Sequence, residues 1–419
     1  MLYYSNYLGL YLSNASNKNL ILKKLLENEF LNDYIDLNIL KGSLYSTLTI
    51  NKLIEEELRH DHYQIRTKEN SSLESMSSGQ QKKALMMYLI EQNPQFMVLD
   101  DLYSNVDKDT QAYFTSILEK LSETTLLIQI LFRKSDLLPC VKTVFFINEK
   151  NQIINKQDAS SFIDSLSIDN LSYPKFTLPK EYSEYHNDIN PLVQLNSITV
   201  HYGDKKVLDK VNWTIKSGEF WQLIGPNGSG KSTLLSLITG DNPRGYGQDL
   251  ILFGRKKGSG ETIWDIKRQI GYFTPSMIEQ FKHNDTVENM IVSGLLDSVG
   301  LYTVPTDLQK DIAKSWVGLL GDSYKKKMFQ DLSIGQQRMV MVARAMVKHP
   351  PLLILDEPTI ELDDENSLLF IEMVNAIAAE KKIAILYVSH REEANLKPEH
   401  VFELIPNVNG SIGIIQQRR

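Results

Sequence analysis

An internal repeat of 256 residues is the feature that most limits what this chain can fold into. In each copy, Ser-x-Gly-Gln-Gln precedes a helical pattern, a proline and an apolar run that ends in two acids. The landmarks that recur at this offset are Gly79 and Gly335, Pro94 and Pro350, Asp100 and Asp356, and Asp107 and Asp363. Because such coincidences are not expected by chance, the chain is predicted to hold two copies of one domain type.

The two copies differ in completeness. We expect the second, complete copy at residues 191–419 and a degenerate first copy at residues 1–165. Residues 166–190 are rich in Ser, Asp, Asn, Tyr and Pro without sustained periodicity, which indicates a linker.

The first copy is expected to lack a phosphate loop. At the 256-residue offset, the counterpart of Lys231 would precede Met1. The run 8–11 matches 270–273 in the position of its glycine, so the chain is expected to begin at the counterpart of that strand. The front half of this copy, which would bind the nucleotide, is therefore predicted to be missing.

The secondary-structure pattern predicts an α/β fold. Residues 220–224, 352–355 and 383–388 are short runs rich in branched apolar residues, which is typical of parallel strands buried on both faces. Residues 232–239 and 336–348 carry apolar residues at helical spacing. Two tandem α/β domains, the first incomplete, are therefore expected.

Residues 225–232 predict a phosphate-binding loop, because they fit G-x-x-x-x-G-K-[ST] between an apolar strand and a helix. Glycines let backbone N–H groups close around phosphate oxygens, and the helix start adds partial positive charge. Lys231 can reach the β- and γ-phosphates, and the Ser232 hydroxyl can ligate Mg²⁺. The predicted nucleotide-binding residues of this segment are Gly225, Pro226, Asn227, Gly228, Ser229, Gly230, Lys231, Ser232 and Thr233.

Two acids after the strand at 352–355 complete a predicted phosphoryl-transfer site. Asp356 stands where a parallel strand ends, which is where open α/β sheets bind ligands. It is predicted to hold Mg²⁺ through water, and Glu357 to polarise the attacking water.

With these motifs the chain resembles the ATP-binding cassette (ABC) ATPases, which are P-loop NTPases with a helical subdomain. The segment 332–336, Leu-Ser-Ile-Gly-Gln, is close to the Leu-Ser-Gly-Gly-Gln signature of that family and begins 20 residues before the strand at Leu352. The resemblance implies a Mg²⁺-dependent ATPase whose γ-phosphate is capped by the opposite domain's signature. The further residues it implies are Ser333 and Gly335 at the signature, Tyr202 stacking on adenine, and His390 sensing the γ-phosphate.

More narrowly, residues 240–246 and 252–265 resemble a tandem-domain subgroup with ModF- and PhrA-like names, which refer to molybdate transport and photorepair. Nothing in these residues encodes molybdate recognition or light chemistry. The family's crossing loop is matched at Leu362 and Asp363.

Two departures from the family pattern limit what the resemblance implies. Pro275 stands where transporter cassettes carry a glutamine that ligates Mg²⁺ and links to a membrane partner, and Gln280 is the nearest glutamine. Either coupling differs here, or the loop brings Gln280 into the same space. In the first copy, Asp101 replaces the glutamate and Lys134 the histidine, so conventional ATP binding is not expected there.

The first copy does keep a signature at Ser77, Ser78 and Gly79. If the two copies form an intramolecular sandwich, these residues would cap one ATP per chain, held by the second copy's loop. Alternatively, two chains could pair their second copies in a homodimeric sandwich and use both 332–336 signatures.

Composition narrows the biological role without fixing it. With 45 Lys+Arg against 52 Asp+Glu, the chain offers no broad basic surface for nucleic acid. One cysteine excludes a disulfide framework, and no apolar run reaches the ~18–20 residues of a spanning helix. We expect a cytoplasmic protein, placed peripherally at the inner face of the membrane if it serves a transporter subunit. A ribosome-linked tandem ATPase is less favoured, because translation-type members carry a long, charged helical linker and 166–190 is short and not basic. A DNA-linked or free-standing tandem ATPase and a nucleotide-regulated scaffold stay as alternatives.

Overall fold

The computed structural model describes residues 7–417, except 36, 38–39, 61–64, 66–71, 105, 165–175, 181–188, 282–283, 390–392 and 394. The chain divides into two compact units. Unit 1 comprises residues 1–172 with the segment Glu361–Glu365, and unit 2 comprises the remainder. Of the predicted linker, only residues 176–180 and 189–190 belong to the described part, so the predicted domain boundaries stay a prediction.

Unit 1 is a six-stranded sheet with helices. Its strands are β1 (Tyr7–Leu12), β2 (Gly42–Tyr45), β3 (Phe96–Leu99), β4 (Leu126–Leu131), β5 (Thr143–Ile147) and β6 (Ile153–Asp158). Its helices are α1 (Lys18–Leu26), α2 (Thr47–His60), α3 (Ser78–Glu91), α4 (Lys108–Leu121) and α5 (Ala159–Asp164). The strand order is β2-β3-β4-β1-β5-β6, and every pair is parallel except β5 with β6.

Burial on both faces explains why this sheet forms. All residues of β3 and β4 are buried, which fits their apolar runs, interrupted only by Gln129 in β4. One face packs on a cluster that includes Phe114 and Leu85, and the other on a cluster that includes Leu22 and Phe145. The sheet therefore has a hydrophobic core on each side.

Unit 2 contains two sheets. Its strands are β7 (Val193–Tyr202), β8 (Lys205–Ile215), β9 (Phe220–Ile224), β10 (Asp249–Leu252), β11 (Arg255–Lys256), β12 (Ile270–Phe273), β13 (Leu352–Asp356), β14 (Ala384–Val388), β15 (His400–Ile405) and β16 (Ile412–Gln417). Its helices are α6 (Lys231–Ile238), α7 (Ile263–Lys267), α8 (Val287–Leu295), α9 (Asp307–Leu320), α10 (Ile334–Met346) and α11 (Asp364–Ala379), whose first residues count with unit 1.

The larger sheet of unit 2 has the order β12-β13-β14-β9-β15-β16 and is parallel except at β15 with β16. The smaller sheet, β11-β10-β7-β8, is antiparallel. The described part of unit 1 has a counterpart of the larger sheet but not of the smaller one. The predicted α/β class and the two tandem copies are confirmed, and the first copy lacks the smaller sheet in its described part.

The strand order corrects one alignment made from the sequence. Strand β1 holds the place of β9, and β2 holds the place of β12. The match of 8–11 with 270–273 was therefore wrong, and so was the expectation that the first copy lacks its phosphate-loop half. The alignment at a nearly constant offset failed because the segment between β2 and α3 in unit 1 is far shorter than the segment between β12 and α10 in unit 2.

The core of unit 2 provides a test of the fold. Trp213 is buried, stacks on Phe402 at 4.1 Å between ring centroids and meets Trp221 edge-on at 5.5 Å. We expect Trp213→Ala to lower the free energy of unfolding of unit 2 by about 3–5 kcal/mol, because the substitution removes these ring contacts and leaves a cavity. Urea unfolding followed by circular dichroism measures it. Val408→Ala, at a fully exposed position, should change it by less than ~0.5 kcal/mol. Equal effects of the two variants would contradict this packing.

Candidate functional site

The predicted phosphate loop connects β9 to α6, and one glycine sets its conformation. Gly230 is the N-cap residue of α6 and has φ +96°, a left-handed conformation that side chains resist. A Cβ added there would also approach Leu208 to 2.8 Å. Because glycine carries no capping oxygen, it leaves the first amide groups of α6 to an external acceptor such as a phosphate.

Lys231 and Ser229 are held inside this loop. The Lys231 Nζ donates hydrogen bonds to the carbonyl oxygens of Gly225 at 2.8 Å and Pro226 at 3.1 Å. Ser229 is fully buried within the loop. Ser232 is exposed and Thr233 half-buried at the start of the helix.

Asp356 lies at the end of β13, and β14 alone separates that strand from β9. Since the three strands are parallel, their carboxyl ends reach the same edge of the sheet. Burial raises the pKa of Asp356, while the Tyr272 hydroxyl, which donates to its Oδ2 at 3.3 Å, and the Lys231 charge oppose that rise. The phosphate loop and the acid therefore influence each other electrostatically.

A cavity of about 390 Å³ lies beside the predicted metal ligands. Ser232, Tyr272 and Asp356 line one part of it, and apolar residues including Trp264 and Met277 line another. This grouping suits Mg²⁺, which prefers hydroxyl, carboxylate and water oxygens.

The structure answers the question left open at the missing glutamine. Pro275 begins a 3₁₀ turn, and Gln280 at its end is exposed and does not line the cavity. Tyr272 lines it instead, and its hydroxyl contacts the predicted metal ligand. The sequence reasoning missed Tyr272, although its place three residues before Pro275 on a strand beside Asp356 was a usable signal.

Glu357 adopts a left-handed backbone with φ +50°, and its N–H donates to the Val388 carbonyl at 2.9 Å. Its counterpart Asp101 in unit 1 has φ +57°. A left-handed glutamate is strained, and such strain concentrates at functional sites. In both units the left-handed residue directly follows an aspartate at the end of the acidic strand, Asp356 in unit 2 and Asp100 in unit 1.

The structure places Tyr202 at the end of β7, with its ring 41% exposed. Its hydroxyl accepts a hydrogen bond from Asn242 Nδ2 at 3.1 Å, and Asn242 also contacts Ser236 of α6. Tyr202 is thus connected to the phosphate-loop helix. His390 lies outside the described residues.

Both predicted signatures begin a helix. Ser333 caps α10 and Ser77 caps α3, each in a reciprocal capping box with the glutamine three residues later. Each serine oxygen accepts the cap hydrogen bond, which leaves its hydroxyl proton available to a ligand. Gly335 is also required by packing, since a Cβ would approach Asn366 to 2.3 Å. Ser78 and Gly79 form the first turn of α3.

Each signature helix carries a buried cation that the sequence analysis did not identify. Arg338 Nη1 donates to the Pro358 carbonyl at 2.7 Å, and Lys82 Nζ, 256 residues earlier, donates to the Ser104 carbonyl at 2.8 Å. Burial lowers the pKa of Lys82 against the opposing charge of Asp101. In both units, these cations connect the signature helix to the loop after the acidic strand.

Unit 1 has a degenerate phosphate loop between β1 and α1. Aligning the two helices pairs Lys18 with Lys231, and it also pairs Asn17 with Gly230 and Asn14 with Asn227. Asn17 caps α1 and accepts from the Leu20 N–H at 3.0 Å, so its side chain satisfies an amide that Gly230 leaves open in unit 2.

Lys18 is bound to protein carboxylate. Its Nζ lies 3.2 Å from Asp100 Oδ1. Burial opposes the charge of Lys18, but nearby carboxylates, Asp100 foremost, outweigh burial and raise its pKa. The lysine that would meet phosphate therefore already has an anionic partner.

A second carboxylate of unit 1 meets the degenerate loop. The Asn14 N–H donates to Asp363 Oδ2 at 2.7 Å, and the Asp363 N–H donates to Asn14 Oδ1 at 2.8 Å. Both residues are buried. The acidic segment 361–365, which counts with this unit, thus supplies the loop with an internal anion.

Comparisons with known proteins agree with this architecture. A family model described as ABC transporter matches residues 208–360. The chain is 35% identical over 350 residues to the ABC transporter ATP-binding protein ModF of Escherichia coli (strain K12), covering 79% of this chain and 70% of that protein. It is 28% identical to an uncharacterized ABC transporter ATP-binding protein of Schizosaccharomyces pombe (strain 972 / ATCC 24843), covering 77% and 66%.

Among solved structures, the archaeal ribosome recycling factor aABCE1, in a complex with the ribosomal stalk protein aP1, matches at a TM-score of 0.62. The match covers 99% of this chain and 86% of that one at 14% identity, which supports the fold alone. None of the described helices is both long and apolar enough to cross a membrane.

The Lys18–Asp100 pair provides a test of the degenerate loop. We expect Lys18→Met to lower the free energy of unfolding of unit 1 by roughly 2–3 kcal/mol, because Asp100 is 3% exposed and loses its cation. Lys23→Met, which breaks an exposed pair on the same helix, should cost less than ~0.5 kcal/mol. Urea unfolding measures both. A large loss of ATP affinity in Lys18→Met would contradict the degenerate assignment.

Proposed function

Because this chain belongs to the ABC transporter family of ATP-binding proteins, we propose that it is the ATP-binding subunit of a transport system, with its working phosphate site in unit 2. It binds ATP and hydrolyses it, as ABC ATPases do. The observation that carries the site assignment is the open start of α6 at Gly230, followed at once by Lys231.

In this proposal the residues of unit 2 divide the work of phosphoryl transfer. Amide groups of the loop and Lys231 bind the β- and γ-phosphates, and Ser232 and Asp356 hold Mg²⁺, which when bound neutralises phosphate charge. Glu357 accepts a proton from the attacking water. His390 contacts the γ-phosphate, and Tyr202 stacks on adenine.

We further propose that Ser77, Ser78 and Gly79 cap the γ-phosphate of the ATP held by the loop in unit 2. Unit 1 keeps the capped signature helix while Asn17 and Lys18 are engaged within their own loop. One ATP per chain follows from this pairing. A homodimer that uses Ser333 and Gly335 of each chain is the competing arrangement.

The proposed partner is a membrane-embedded transporter subunit, contacted from the cytoplasm, where ATP is supplied. One observation favours a second candidate, a tandem ATPase with a non-transport role. Pro275 replaces the glutamine that links transporter cassettes to membrane partners, and Gln280 does not line the cavity. A ribosome is less favoured as the partner because the predicted linker is short and not basic, and nucleic acid is less favoured because acidic residues outnumber basic ones. Affinity capture under ATP, with identification of co-purifying membrane subunits, separates the two candidates.

We expect Glu357→Gln to lower kcat at least about 100-fold while ATP still binds, because only proton acceptance from water is lost. Lys231→Ala should lose ATP binding itself. Glu380→Gln, at an exposed position of unit 2, is the control and should leave both unchanged. Phosphate release and calorimetric titration measure the two steps. Full turnover in Glu357→Gln would remove this carboxylate from the mechanism.

The two serine caps distinguish the sandwich arrangements. Ser77→Ala and Ser333→Ala each remove one cap hydrogen bond and should cost a similar ~1 kcal/mol of stability. We expect Ser77→Ala to reduce turnover at least about tenfold with unchanged initial ATP binding, and Ser333→Ala to spare turnover. The reverse outcome, with two nucleotides per dimer in equilibrium dialysis, would establish the homodimer.

A further inference from the structure

We propose that Arg244 positions the aromatic ring on which the adenine base stacks, so that recognition of the base depends on a cation outside the phosphate-loop and signature motifs. The inference rests on the proposed ATP site and concerns one part of it, the platform for the base. Arg244 acts through Tyr202 and is a positioning residue.

Arg244 covers one face of the Tyr202 ring. The centre of its guanidinium lies 3.9 Å from the ring centroid, well within the range of a cation–π contact. Its Nε donates to the carbonyl oxygen of His201, the residue before Tyr202. The guanidinium is therefore fixed to the same strand that carries the ring.

Asn242 fixes the ring from its edge. This residue is 5% exposed, and its Nδ2 donates to the Tyr202 hydroxyl at 3.1 Å and to Ser236 Oγ at 3.0 Å. Its Oδ1 accepts from the Arg244 N–H at 3.1 Å. Since Ser236 belongs to α6, the same side chain connects the ring, the guanidinium and the helix that begins at the phosphate loop.

These contacts determine how a base can bind. Arg244 covers one face of the Tyr202 ring and Asn242 holds its hydroxyl, so an incoming base would stack on the opposite face. Tyr202 is 41% exposed. The guanidinium draws π-electron density toward itself, and the free face then stacks better on an electron-rich purine. Because Asn242 links the ring to the helix that begins at the loop, this arrangement suits a ligand whose base and phosphates bind together, which is a nucleoside triphosphate.

The test compares two ligands that share the triphosphate but not the base. By calorimetry with Mg²⁺, Arg244→Ala should raise the Kd of ATP about twofold to fivefold and leave the Kd of inorganic tripolyphosphate unchanged. The kcat at saturating ATP should also be unchanged. Arg244→Lys, which keeps the charge, should restore part of the ATP affinity.

Two controls make the result specific. Lys205→Ala removes an exposed cation from the β7–β8 pair, which also carries Tyr202. This variant should change the Kd of ATP and the Kd of tripolyphosphate by the same factor. In a Tyr202→Ala background, Arg244→Ala should cause no additional loss of ATP affinity, because the arginine acts through the ring.

Equal losses for ATP and tripolyphosphate, or full additivity with Tyr202→Ala, would overturn the proposal by assigning Arg244 to general electrostatic attraction. A normal Kd of ATP in Arg244→Ala would overturn it too. If the unsubstituted chain bound neither ligand, the proposed ATP site itself would be wrong, which is a distinguishable result.

Discussion

The hydrogen-bonding state of the first helical turn after the phosphate loop is the constraint on which the rest of this molecule depends. In unit 2, Gly230 takes a left-handed backbone and carries no capping oxygen, so α6 begins with amide groups directed to an outside acceptor. In unit 1, Asn17 satisfies such an amide with its own side chain. The residues at these equivalent positions therefore leave the start of α6 without a side-chain cap and give the start of α1 one.

Around that difference the two units keep the same frame. Both have a parallel sheet of the same strand order, and in both a serine-capped helix follows. A buried cation, Lys82 or Arg338, connects that helix to the loop after the acidic strand. Unit 1 keeps the serine-capped signature helix, while Asn17 and Lys18 are engaged within their own unit.

The sequence alone was sufficient where chemistry demands fixed residue types at fixed spacing. The loop at 225–232, the acids 356–357 and both signature helices lie in the predicted local structure. It failed where strand order decides, because β1 and β12 both carry glycine in a short apolar run although they hold different places in their sheets. The roles of Lys82, Arg338 and Arg244 could not be assigned from the sequence, because their partners are distant carbonyl oxygens and a ring that only the tertiary structure brings near. The position of Tyr272 before Pro275 was a usable signal, but its contact with Asp356 was not.

The left-handed turn shared by Asp101 and Glu357 bears on how such a duplicated protein can change over time. Aspartate tolerates this backbone region better than glutamate does, because its short side chain can bond locally. The shorter acid of unit 1 therefore adopts this turn with less strain than the longer acid of unit 2. In the proposed mechanism, the longer side chain of Glu357 reaches a water molecule at the cost of a more strained backbone, whereas Asp101 gives unit 1 the less strained form of the same turn.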